Sequence, residues 1–243
     1  MLRRLTVLLL LGACTVAPDP GPAPEPFTIT RSPQEAVDAY LRVSRRIEPV
    51  AERLCRQKNP SAPAVYCDFR ILVDGRTDQG PNAFQTIGKD GRPVIAFNIP
   101  MLATVKNDHE IAFILGHEAG HQIRNHLVQS NVNANLGAVL LGSISALTGA
   151  SSGQVAEAQR LGGSLGARAY SKEHELEADQ IGTYVAYLAG YDPLIGAQSF
   201  ARFSGGNSVL STHPPSGRRL ATVQNTMARI NALRASGQAV TLP

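Results

Sequence analysis

This 243-residue chain is short of charge: Asp, Glu, Lys and Arg make up only 17% of it. It also has no apolar run approaching the ~20 residues of a membrane-spanning helix, which excludes a polytopic membrane protein. Basic residues outnumber acidic ones, for a net charge of +4, but nowhere do they cluster with interleaved aromatics. A nucleic-acid partner is therefore excluded. Cysteine is scarce too, at three residues: Cys14, Cys55 and Cys67. Hydrophobic residues are plentiful at 43%, enough to build one sizeable core in one domain.

The three cysteines fall in two settings. Arg3 and Arg4 followed by the apolar Leu5 to Leu11 read as a secretion signal, too short to span a bilayer. The junction Leu11-Gly12-Ala13-Cys14 resembles a bacterial lipobox. That resemblance implies cleavage after residue 13, a lipidated Cys14 and, with Thr15 rather than Asp next, sorting to the outer membrane. Residues 14–31 then form a tether with Pro18, Pro20, Pro22, Pro24 and Pro26 nearly alternating, a composition that is extended and semi-rigid. Export permits a disulfide between Cys55 and Cys67, though two buried thiols fit the sequence as well.

Residues 32–243 read as a single α+β domain, mainly helical, with a small and mostly antiparallel sheet. Ser32-Pro33-Gln34-Glu35 is a capped helix start, and Val37, Tyr40, Leu41, Ile47 and Leu54 carry a helical period to about Lys58, with a kink expected at Pro49. Strands are expected over Val65 to Val73, Ala83 to Ile87 and Val94 to Phe97, with a turn at Asp90-Gly91. A helix is expected from Asp108 to Leu127, capped by Asn107 and Glu110. Residues 131–170, rich in Gly, Ala, Ser and Asn, read as a mobile helical insertion. Further helices are expected from Ser171 to Ala189, Leu194 to Phe203 and Gly217 to Ala235, with a Gly- and Pro-bearing loop, Ser204 to Ser216, before the last.

The chemistry concentrates in Gly116-His117-Glu118-Ala119-Gly120-His121. Four residues apart on a helix, His117 and His121 share one face, and two neutral imidazoles at that spacing can hold one Zn²⁺. Glu118 stands beside them, placed to take a proton from the attacking water and return it to the leaving amine. Gly116 and Gly120 cost helix stability, so something packs very close to this helix. A catalytic zinc wants a third protein ligand. In the later helix, Glu175, Asp179, Gly182 and Ala186 lie on one small face. Glu177 sits about 200° from Glu175 and faces elsewhere. Glu175 is the candidate ligand, and Asp179 can accept the outer N–H of a zinc-bound histidine.

These segments, with Asn82-Ala83-Phe84 before them and Glu175-Leu176-Glu177-Ala178-Asp179 after, resemble the gluzincin family of the CAAX prenyl protease, HtpX and the periplasmic BepA/LoiP-type peptidases. The resemblance implies a zincin-like fold, one Zn²⁺ per chain on His117, His121 and Glu175, Glu118 as base and Asp179 as supporting acid. His213-Pro214-Pro215 and Arg219 resemble the family's downstream elements. His213 would either donate to the developing oxyanion or cap the zinc, while Arg219 would add positive charge to the cleft or pair with an acid near the metal. The chain departs from the family in having Lys172 after Ser171, where Arg is common. The implied activity is a membrane-tethered zinc endopeptidase of the bacterial periplasm acting on unfolded envelope proteins. The alternative is an assembly factor for outer-membrane proteins whose zinc site is normally closed.

Overall fold

In a computed structural model, the described residues are 29, 31–167, 172–202 and 218–243. The signal segment, nearly all of the tether, Cys14, Ser171 and the loop with His213 lie outside them. Helix α1, Pro33–Lys58, opens with Ser32 accepting from the Glu35 amide while Glu35 reaches back to Ser32, and it runs unbroken through Pro49. Tyr40, Val43, Ile47 and Leu54 form its buried stripe. The Tyr40 hydroxyl donates to the carbonyl of Leu72 at 3.0 Å, tying α1 to the sheet.

The expected strand at Val65 to Val73 is in fact two elements. Ala64–Cys67 is a 3-10 turn, and strand β1 occupies only Arg70–Asp74. Cys55 and Cys67 are joined as a disulfide. The Tyr66 hydroxyl donates to the carbonyl of Gln122 at 2.7 Å. These tertiary ties hold the stretch in a turn despite its alternating pattern. Strands β2, Ala83–Ile87, and β3, Pro93–Asn98, form an antiparallel pair. β1 joins β3 in parallel, so the sheet is mixed, in the order β1-β3-β2.

A short helix, α2, follows at Ile99–Thr104, capped by Asn98, whose side chain accepts from the Met101 amide. Next is α3, Asp108–Ile123, capped by Asn107. Asp108 is gripped by Arg42 at 2.8 Å and Arg31 at 3.3 Å, which fixes the start of α3 against α1. The helix expected to reach Leu127 stops at Ile123. Asn125 adopts a left-handed conformation (φ 59°), one that asparagine tolerates better than most residues, and α4 begins afresh at His126 and runs to Leu147.

With α5, Ser152–Ala167, α4 forms a helical hairpin whose outer side exposes Leu136, Val139, Leu140 and Ile144. No helix among the described residues is long and apolar enough to cross a membrane. Helix α6, Lys172–Leu188, is followed by two short helices, α7 at Pro193–Gly196 and α8 at Ser199–Arg202, where one was expected. Helix α9 spans Arg218–Ala235.

The site is positioned by the crossing of α3 and α6. The two run antiparallel with backbones nearly touching: a methyl group added to Gly116 would stand 2.9 Å from the Gly182 carbonyl, and one on Gly120 would stand 2.9 Å from Ala178. Glycine at 116, 120 and 182 and alanine at 178 permit that approach. Ile111, Leu115, Ile181, Tyr184 and Val185 pack around the crossing within the main core.

Candidate metal centre

The crossing brings His117 and His121 of α3 onto Glu175 of α6, all three buried. The Nε2 atoms of the histidines are 3.0 Å apart. His117 Nε2 lies 3.5 Å from Glu175 Oε2, and His121 Nε2 lies 3.6 Å from Glu175 Oε1. Tetrahedral ligands at a zinc–nitrogen distance of ~2.0–2.1 Å stand about 3.3–3.4 Å from one another. Two imidazoles and a carboxylate at these separations fit Zn²⁺ in both chemistry and spacing. Glu118 is buried beside them, one residue on from His117.

For Nε2 to face a metal as a lone pair, Nδ1 must carry the proton. On His117 that N–H donates to Asp179 Oδ1 at 2.8 Å. Asp179, one turn beyond Glu175, also accepts two hydrogen bonds from Arg219 of α9: Nε to Oδ2 at 2.7 Å and Nη2 to Oδ1 at 2.6 Å. Of the two places expected for Arg219, this is the pairing with an acid. Its guanidinium lies over the Phe200 ring, 4.0 Å from the centroid, and its Nη1 is 3.6 Å from Glu175. Burial disfavours the Arg219 charge. The hydrogen bonds to Asp179 and the carboxylates of Asp179, Glu175 and Glu118 outweigh that cost and hold its pKa above the ordinary arginine value.

Behind His121 stands a residue that sequence reasoning missed. His126 Nδ1 is 3.0 Å from His121 Nδ1, and His126 Nε2 is 3.0 Å from Glu177 Oε2. Arg124 lies 3.9 Å from the same carboxylate oxygen. The His174 ring stacks on His126 with centroids 4.2 Å apart and planes inclined by 12°. Burial pushes His126 down to about 4, against a weaker upward pull from Glu177. On an unbroken helix, five residues from His121 would turn His126 well to one side. The left-handed Asn125 brings it back. A histidine shortly after the motif and an asparagine just before it were the available signals. Glu177 does point away from the three clustered donor atoms, and it meets His126 instead.

Two histidines and a glutamate converging on one point, with a second glutamate alongside, make the kind of centre on which metal-dependent hydrolases are built. The chain belongs to Peptidase family M48, whose profile matches residues 41–227. It is 29% identical over 127 residues to the mitochondrial metalloendopeptidase OMA1 of Arabidopsis thaliana, covering 49% of this chain and 24% of that protein. It is 25% identical over 206 residues to the beta-barrel assembly-enhancing protease of Yersinia pestis, covering 70% of this chain and 41% of that protein. The chain thus spans well under half the length of either relative.

Proposed function

We propose that this protein is a zinc-dependent endopeptidase of the bacterial periplasm, held to the outer membrane by a lipid on Cys14, and that it cuts unfolded or unassembled envelope polypeptides. The observation that carries the reading is the spacing of the three donor atoms, 3.0, 3.5 and 3.6 Å, with Glu118 adjoining. His117, His121 and Glu175 would hold the ion. Zinc bound there would supply Lewis acidity toward the scissile carbonyl and the attacking water. Glu118 takes the proton from that water and delivers it to the leaving nitrogen. Asp179, braced by Arg219, holds the His117 ring in the ligating tautomer. His213, outside the described residues, remains a candidate oxyanion donor or zinc cap.

The substrate's path is suggested by β2. It is an edge strand, and Gln85 on it donates to Gln122 Oε1 on α3 at 2.9 Å, which fixes that edge beside the motif helix. Pairing of an extended chain along such an edge uses main-chain hydrogen bonds and reads little sequence, which suits unfolded substrates. The relatives' names, a metalloendopeptidase and a protease that enhances β-barrel assembly, support a protein substrate. The nearly complete burial of His117, Glu118, His121 and Glu175 favours a second reading, an assembly factor whose site is normally closed.

Glu118→Gln tests the proposal. The substitution is isosteric and leaves all three metal-binding side chains in place. Wild-type protein should degrade casein, lose that activity to a chelator and regain it with zinc. Glu118→Gln should retain zinc and be at least ~10²-fold slower, the lower end of what proton transfer contributes. A variant that cleaves at the wild-type rate refutes the role of Glu118. Wild-type protein that binds zinc without cleaving selects the assembly-factor reading.

A further inference from the structure

The two histidines are held from behind in different ways. His117 leans on a buried carboxylate, Asp179, fixed by the Arg219 fork. His121 leans on another imidazole. We infer that His126 and Glu177 form a relay that sets the orientation and tautomer of His121, so that His126 is a positioning residue for the metal centre. The inference rests on His121 being a metal ligand, as proposed above.

The chain of donors allows one consistent assignment. If His121 offers Nε2 to a metal, its proton sits on Nδ1 and must be donated. The atom 3.0 Å away is His126 Nδ1, which can accept only as a lone pair. The His126 proton then sits on Nε2, and 3.0 Å from it is a Glu177 oxygen, an acceptor. Each hydrogen bond forces the next, and the carboxylate at the end favours the whole order. Arg124 near Glu177 and the His174 ring stacked on His126 hold the relay's outer members in place.

His126 is not itself a fourth ligand in this arrangement. It lies on the Nδ1 side of the His121 ring, whereas Glu175 and His117 lie on the Nε2 side. Nor is it ordinary core filling: it is fully buried, yet both of its ring nitrogens meet polar partners. A buried imidazole with both nitrogens engaged is expensive to assemble unless the network is complete. The break at Asn125, with a left-handed non-glycine residue, is what sets His126 in this place.

The relay differs from the Asp179 support in one functional respect. Glu177 is partly exposed, its side chain 44% accessible, whereas Asp179 is sealed. The orientation of one metal-binding histidine is thereby connected to a group at the protein surface.

The test is zinc affinity by chelator competition, together with the absorption spectrum of the Co²⁺-substituted protein, on the full mature chain. His126→Ala removes the acceptor and should weaken zinc binding about 10- to 100-fold, the usual loss when an outer partner of a ligand is removed. His126→Asn restores an acceptor oxygen near the position of Nδ1 and should recover most of that loss. Glu177→Ala should weaken binding less than His126→Ala, and Glu177→Gln, which still accepts from Nε2–H, should stay near wild type. The Co²⁺ bands should shift in His126→Ala and return in His126→Asn, which a merely structural role would not produce. If His126→Ala does not fold, the Glu177 pair decides. Wild-type protein that binds no zinc overturns the reading of the site itself. Wild-type binding matched within twofold by His126→Ala, or by Glu177→Ala where His126→Ala does not fold, overturns the relay alone.

Discussion

Replacing Gly182 by alanine tests how the helix crossing supports the metal centre. A Cβ built on Gly182 would stand 2.8 Å from the His117 amide nitrogen, 3.0 Å from His117 Cα and 3.1 Å from the carbonyl carbon of Gly116. All three are backbone atoms of α3, so no side chain can swing aside. Ordinary carbon contacts lie at about 3.5–4.0 Å, and α6 must therefore move away from α3 by roughly 0.6 Å or more. Glu175 rides on α6 and the two histidines on α3, so the displacement falls directly on the distances between donor atoms. Metal sites tolerate about 0.2 Å.

The stability change should be smaller than the site change. Overpacking costs ~1–3 kcal/mol, and exchanging a helical glycine for alanine returns about 1 kcal/mol. Gly182→Ala should thus cost about 0–2 kcal/mol in zinc-free protein while weakening zinc binding more than tenfold. Gly163→Ala in α5 is the control, because its new methyl meets nothing closer than 3.7 Å. It should leave zinc affinity untouched. Urea denaturation of zinc-free protein and chelator competition measure the two effects. A Gly182→Ala protein that binds zinc as tightly as wild type would refute the dependence of the site on this approach.

Three further outcomes are expected. Glu175→Ala removes a proposed ligand, so its zinc affinity, by chelator competition, should fall by more than the ~100-fold typical of outer partners, and an unchanged affinity would remove Glu175 from the metal. Arg219→Ala leaves Asp179 buried without its fork and should destabilise the protein by about 3–5 kcal/mol in urea melts; Arg219→Lys should recover only part, because one ammonium cannot replace two guanidinium bonds, and full recovery would show that charge alone matters there. Cys14→Ser should release the protein from the membrane fraction into the soluble periplasmic fraction, since stable anchoring needs several acyl chains. Unchanged fractionation would point instead to the apolar hairpin side around Leu136 and Ile144.

The sequence spoke clearly wherever one short segment determines its own geometry. The capping box at Ser32 and Glu35, the β2–β3 hairpin around Gly91, and the shared face of Glu175, Asp179 and Gly182 all follow from spacings within one element. Gly116 and Gly120 announced a close neighbour before that neighbour was known. What was not legible depended on contacts between distant segments. The alternation from Val65 to Val73 suggested one strand, but the disulfide and the Tyr66 bond to Gln122 hold its first half in a turn. The parallel pairing of β1 with β3 has no local signature. Helix α2 is too short to show a period. His126 was overlooked because a continuous helix sends it away from His121, and a single left-handed asparagine undoes that expectation.

The charges sealed into the crossing give the fold its own reason to take a cation. Glu118, Glu175 and Asp179 are each no more than 1% exposed, and among the described residues Arg219 is the basic side chain buried with them, at 4%. Three carboxylates thus surround one guanidinium. Buried charge is tolerable only when paired or coordinated to metal. Arg219 makes two hydrogen bonds to Asp179 and stands 3.6 Å from Glu175, and Glu118 and Glu175 are the two carboxylates assigned to proton transfer and to ligation. A divalent ion between His117, His121 and Glu175 would add positive charge beside these carboxylates. The features proposed to serve hydrolysis, a desolvated base next to a desolvated ligand, would be costly to the apo fold, which would couple metal binding to the stability of the α3–α6 crossing.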